Sequence, residues 1–323
     1  MNNLKLIIKL FLINFSFLFP VKFVKNLYQN QFRKKLLPLS KNLDKYYSKV
    51  LINKFDKIGI NKDTTFSNIG SCFGVRISNY LSKNINNYLV YEKTFRNASV
   101  NWGHVYNIMN LSQVINYSLD IENDFIIEKC SKGYFDPLRA TTIGYYDSLD
   151  LAKKSIIDHR LKSKKLLETV DVLIITIGQN EGWHDSKHDI VWGFNPPFDF
   201  DLDEDRFEYK EFDFNSNYEQ LRKSLHNLQK INTKIKFILT VGPITNYTTF
   251  LDNDVVSQSF VEKSNIRLVF NELEKDNQIN AYYFPLLEMI FLNQNKNYSL
   301  DNKHISKKVV DKVYIHFDKF IKK

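Results

Sequence analysis

With 323 residues, 43% of them hydrophobic and 15% aromatic, the chain has ample apolar side chain for a buried core, and disorder is excluded as its class. The formal charge of +9 is unevenly placed: residues 1–43 carry Lys5, Lys9, Lys22, Lys25, Arg33, Lys34, Lys35 and Lys41 and no acid, which leaves 37 basic against 36 acidic residues elsewhere. A body so near neutrality gives no electrostatic support for nucleic-acid binding, and no zinc-finger or RNA-binding signature is present.

Leu4–Val24 is strongly apolar but broken by Lys5, Lys9, Asn14, Ser16 and Pro20, and its longest charge-free run, Leu10–Val21, falls short of the roughly 20 residues a spanning helix needs. No small-residue cleavage site follows it. The expectation is a basic apolar segment over 1–45 that lies on an anionic membrane surface through residues 1–43, ahead of a catalytic domain over 46–323. A helix packed on its own domain is the alternative. Cys72 and Cys130 cannot make a disulfide framework, which favours a reducing compartment and a cytoplasmic, peripherally attached protein over one exported with an uncleaved signal anchor.

In chain order the body reads as strands Thr65–Ile69, Asp171–Ile177, Lys236–Val241 and Ala281–Phe284, and as helices Cys72–Lys83, Gly103–Ser118, Leu149–Leu167, Asn217–Lys230, Asp254–Lys275 and Ser306–Phe320. Continuous apolar strands separated by helices predict an α/β fold, a three-layer α/β/α arrangement around a parallel sheet. Such sheets bind ligands beyond the carboxyl ends of their strands.

The first strand hands over to a helix at Gly70-Ser71, where the apolar period changes from two to about four. A serine there either caps free N–H groups or presents a nucleophilic hydroxyl at the positive end of a helix. Cys72, in the first helical turn, is a rival nucleophile. An α/β-hydrolase elbow would need glycine where Ile69 and Phe73 stand, so that fold is disfavoured.

The string Gly70-Ser71-Cys72-Phe73 followed by Gly74 resembles the motif that names the GSCFA family, in which Ala usually fills the last position. Those proteins resemble the SGNH hydrolases, a superfamily of serine esterases with a flavodoxin-like fold. The resemblance spans roughly Phe66–Phe317. It implies Ser71 as nucleophile and, from Asp301-Asn302-Lys303-His304, His304 as general base oriented by Asp301. Gly178-Gln179-Asn180 is similar to the superfamily's G-x-N block, which implies Asn180 in an oxyanion hole with the N–H groups of Ser71 and Gly103. Taken singly, each block reads equally as a turn, a helix cap or a helix start.

His184 and His188 stand four apart, but the segment lacks the Glu of H-E-x-x-H, so no metal is expected and no cofactor motif is present. Phe198–Phe214 alternates acids with aromatics and reads as an acidic surface hairpin or lid. Glu181, Trp183 and Trp102 are candidates for substrate contact, the tryptophans by stacking on sugar rings. The expectation is a serine esterase that removes acetyl or a short acyl group from a carbohydrate. An O-acyltransferase acting on a cell-surface polysaccharide, or a glycan-binding module without chemistry, would carry the same fold.

Overall fold

In a computed structural model of the chain, four apolar runs pair in parallel in the order β1 (Phe66–Gly70), β4 (Val172–Ile177), β8 (Lys236–Val241) and β9 (Ala281–Tyr283). The description covers residues 47, 51, 58–92, 98–120, 125–139, 143–292, 298 and 304–321, which, Tyr47 apart, belong to the unit Ser48–Lys323. The basic segment 1–43 and Asp301 lie outside the described residues. A parallel bridge from Phe66 to Tyr88 adds backbone on the outer side of β1. Counted with it, the order is 2-1-3-4-5, with its switch point between β1 and β4.

Every residue of β1 and β4 is buried, as a central parallel strand requires. Leu173, Ile175 and Ile177, with Phe237, Leu239 and Val241, join one core. That core is covered by helices α2 (Ile108–Leu119), α3 (Leu149–Thr169), α4 (Phe214–Ile231) and α5 (Val255–Lys275). Ile174 and Ile238, one residue out of phase, pack with Ile77 of α1 (Cys72–Asn84), Leu286 of α6 (Leu286–Phe291) and Val313 of α7 (Lys307–Ile321). Alternation thus sends side chains to both faces, and the fold is the three-layer α/β/α arrangement.

Four helices start at a capping side chain: Asn107, Ser148, Asp213 and Asp254 each accept a hydrogen bond from a backbone N–H of the first turn. Helix α1 differs. Ser71 holds its N-cap position with extended backbone, yet the hydroxyl makes no cap bond.

Two antiparallel additions flank the sheet. One is the hairpin β2 (Glu128–Cys130) and β3 (Gly133–Phe135). The other is a sheet ordered β6 (Ile190–Val191), β5 (Glu181–Asp185) and β7 (Phe207–Glu211). They share an aromatic core around Trp192, whose ring meets Phe200 and Phe207 edge-on at 5.0 and 5.2 Å. The run Phe198–Phe214 is therefore no self-contained hairpin: its second half is β7, paired with β5 along its whole length, and Phe212 is buried. Helix α2 begins five residues after the expected Gly103, because the Asn107 carboxamide caps it.

Candidate active site

Beyond the carboxyl ends of β1 and β4 a cavity of about 310 Å³ opens, lined by Ser71 and Cys72 from the first turn, Gly178 and Gln179 from the second, and Gly242 after β8. Gly70 makes the first turn possible. Its φ is +153°, and a Cβ there would lie 2.2 Å from the Thr176 carbonyl oxygen, so β1 ends pressed against β4. The Asn68 side chain, reached by the Tyr88 hydroxyl at 2.6 Å, donates to the Gly74 carbonyl at 2.8 Å and holds the first turn of α1 on the strand.

These constraints deliver the Ser71 hydroxyl to the cavity. Ser71 N–H donates to Thr176 O at 2.9 Å and Ser71 O accepts from Val75 N at 3.1 Å, while Oγ makes no hydrogen bond among the described residues. A Cβ on Gly242 would stand 3.3 Å from that Oγ, so the bare glycine leaves the hydroxyl room.

Glu181 is buried in the cavity wall, where Tyr209 donates to one carboxylate oxygen at 2.7 Å and Thr249 to the other at 2.8 Å. Burial pushes its carboxyl up from the ordinary value; the two hydroxyl bonds oppose that shift. Beside it, Trp183, Tyr209 and Phe250 meet edge to face with ring centres 4.9 to 5.5 Å apart. All three line the cavity.

His304 is half-buried, does not line the cavity and has no hydrogen bond to Ser71. Its segment is nonetheless tied down on both sides of the serine. Arg76 of α1 donates to the Ile305 carbonyl at 3.3 Å, and Tyr298 donates to the carbonyl of Pro243, the neighbour of Gly242, at 3.2 Å. Asp301 falls between these anchors, outside the described residues.

Four expectations differ from the geometry. The Asn180 side chain is fully buried: Nδ2 donates to Phe212 O at 2.7 Å and Oδ1 accepts from Asn217 at 2.5 Å, because the β7–α4 junction packs behind this loop and needs its own groups satisfied. Ser71 N–H is spent on Thr176 O. Gly103, at φ +71°, lies in the irregular stretch ahead of α2 and does not line the cavity, and Trp102 is buried in the main core instead of facing ligand. Residues that sequence reasoning passed over include Asn107, Gln179, Asn246 and Tyr209, all of which line the cavity. Asn107 carried a usable signal, an Asn directly before the apolar helical period of Ile108, Leu111 and Ile115.

His184 Nε2 donates to the Asp189 carboxylate at 3.1 Å, and His188 approaches Glu128 at 3.6 Å. Glu128, Asp185 and His188 offer ligand atoms within 4.8 Å of one another, but the two acids already bond the Arg206 guanidinium, Asp185 at 2.6 and 2.8 Å. The cation that neutralises these acids is a side chain.

The chain is a three-layer α/β/α protein with a non-capping serine at the turn after its first strand, beside a cavity at the switch point. The GSCFA family model matches residues 65–317, and the chain belongs to the GSCFA family. No curated protein and no solved structure matches it.

Proposed function

We propose that this protein is a serine esterase that removes acetyl or another short acyl group from a carbohydrate, working at a membrane surface to which residues 1–43 attach it. The observation that carries the reading is the Ser71 hydroxyl, placed at a helix start, released from capping and turned into the cavity. Ser71 Oγ attacks the ester carbonyl, His304 takes its proton and passes it to the departing sugar oxygen, and water then cleaves the acyl-enzyme by the same route. Anchors at Arg76 and Pro243 support His304 in this role, since they hold its segment beside the helix and the loop that flank Ser71. Catalytic hydrogen bonds are commonly long without substrate and tighten in the complex.

A cavity of about 310 Å³ is at the low end of the roughly 300–1,000 Å³ of ligand sites, which suits one sugar ring and a short acyl group. The aromatic wall of Trp183, Tyr209 and Phe250 suits the apolar face of a sugar, and Glu181 suits its hydroxyls. Family membership is consistent with a hydrolase-like protein. The test is a fluorophosphonate probe followed by peptide mapping. Label on the tryptic peptide between Lys62 and Arg76, absent in Ser71→Ala, is expected; label elsewhere, or none, removes the serine-enzyme reading.

A further inference from the structure

Several backbone donors around Ser71 are spent on the fold itself. Ser71 N–H goes to Thr176 O, Gly178 and Gln179 N–H both go to Tyr106 O, Asn180 N–H goes to Glu262, and Gly242 N–H goes to Ile177 O. The Asn180 side chain is occupied behind the loop. Two carboxamides in the same cavity wall each keep an amide hydrogen in reserve.

Asn107 is one of them. Its Oδ1 caps α2 by accepting from Asn110 N at 2.8 Å, which fixes the other terminal atom as nitrogen, and Nδ2 gives a single hydrogen to Glu181 O at 3.2 Å. The second hydrogen remains on a side chain that lines the cavity with Ser71. Gln179 is the other. Its Nε2 gives one hydrogen to Asn246 Oδ1 at 3.0 Å, while Asn246 Nδ2 is held by Glu262 at 2.6 Å.

We infer that the oxyanion of the tetrahedral intermediate is held by the side-chain amides of Asn107 and Gln179, and not by Asn180; this rests on the serine-esterase reading of the same cavity. Neutral amides suit the task, since they donate without a charge to neutralise and have no proton to lose with pH. When Ser71 Oγ bonds to the acyl carbon, the carbonyl π pair moves onto oxygen and is met by the two N–H groups. It returns to re-form the carbonyl as the sugar oxygen leaves with the proton from His304.

The test uses the intact chain, p-nitrophenyl acetate turnover, fluorophosphonate labelling rates and thermal melting. Asn107→Ser and Asn107→Asp both keep a capping oxygen, and Asn, Asp and Ser cap about equally well. A merely structural Asn107 would therefore be replaced by either with activity retained. As an oxyanion donor, its loss should lower kcat roughly 10²–10³-fold with KM nearly unchanged, and Asn107→Asp, which sets a carboxylate against the oxyanion, should be the more damaged despite a sound fold. Gln179→Met, of similar length and without donors, should behave like Asn107→Ser. If the parent chain is active and labelled at Ser71 while all three variants keep parental kcat, this assignment alone falls. If the parent neither turns over ester nor labels at Ser71, the esterase reading falls and takes the assignment with it.

Discussion

Gly74 is the residue at which this chain departs from its family motif, and the structure says what alanine would do there. It is buried in the first turn of α1, and its carbonyl already accepts from Asn68 Nδ2 at 2.8 Å. A Cβ would meet Asn68 Nδ2 and Thr176 Cβ at 3.5 Å and Thr176 Oγ1 at 3.7 Å, all ordinary contact distances. Glycine in a helix costs about 0.5–1 kcal/mol against alanine, mostly through the freedom of the unfolded chain, and a buried methyl contributes up to about 0.8 kcal/mol. Gly74→Ala should therefore stabilise the protein by about 1 kcal/mol, raising Tm by roughly 2–4 °C and moving the urea midpoint without changing m. Because the backbone bonds of the turn are untouched, the rate of fluorophosphonate labelling should not change. A lower Tm, or slower labelling at equal Tm, would mean that the turn does not pack on Asn68 and Thr176 as described.

The neighbouring glycine answers in the opposite direction: Gly70→Ala forces a Cβ to 2.2 Å from a backbone oxygen and should cost on the order of 2–3 kcal/mol in urea unfolding while abolishing Ser71 labelling, and near-parental values would refute the close strand approach. Desolvation raises the Glu262 carboxyl to about 7, so the folded state holds its proton more tightly than the unfolded one, and this group's contribution to stability falls as pH rises from about 4.5 towards 7. The Tm of Glu262→Gln relative to the parent should accordingly climb across that interval; a difference independent of pH would sink the assignment. Flotation with anionic vesicles should retain the intact chain and release a chain starting at residue 44, with binding weakened but not lost in high salt. Equal behaviour of the two would show that residues 1–43 are not the attachment. Among the described residues, no helix is long and apolar enough to cross a membrane.

Local pattern carried the fold well where burial and period agree. Val172–Ile177 is apolar throughout because it is covered on both faces, and the shift of period at Gly70 marks the turn because strand and helix meet there without a linker. What stayed hidden was decided by partners distant in sequence. Asn180 is turned inward by Phe212 and Asn217, and the Ser71 N–H is taken by a strand a hundred residues on. The aromatic–acidic run from Phe198 could not be read as a strand partner of β5 until both edges were in place. A G-x-N string reports a turn after a strand faithfully, but which way its amide points depends on what packs behind it.

The groups packed behind it also explain a feature that the fold alone does not require. Glu262 and Lys263 are adjacent buried residues of α5, and burial raises the carboxyl and lowers the ammonium, so both are held at a cost. Among the described residues Lys263 hydrogen-bonds only the Gly178 carbonyl, at 3.4 Å. Glu262 accepts from Asn180 N at 3.0 Å and from Asn246 Nδ2 at 2.6 Å, and Asn246 in turn accepts from Gln179 Nε2. An ionised carboxylate can only accept, whereas a carboxamide can donate or accept depending on which way it is turned. Once Glu262 has lost its proton, the chain of amides has one self-consistent direction: Asn246 must offer its nitrogen inward and its oxygen outward, and Gln179 must then point a nitrogen at Asn246. A glutamine at position 262, its single oxygen held by the Asn180 N–H, would turn a nitrogen to Asn246 and reverse both amides beyond it. The buried acid thus sets the polarity of Gln179, an amide it does not touch.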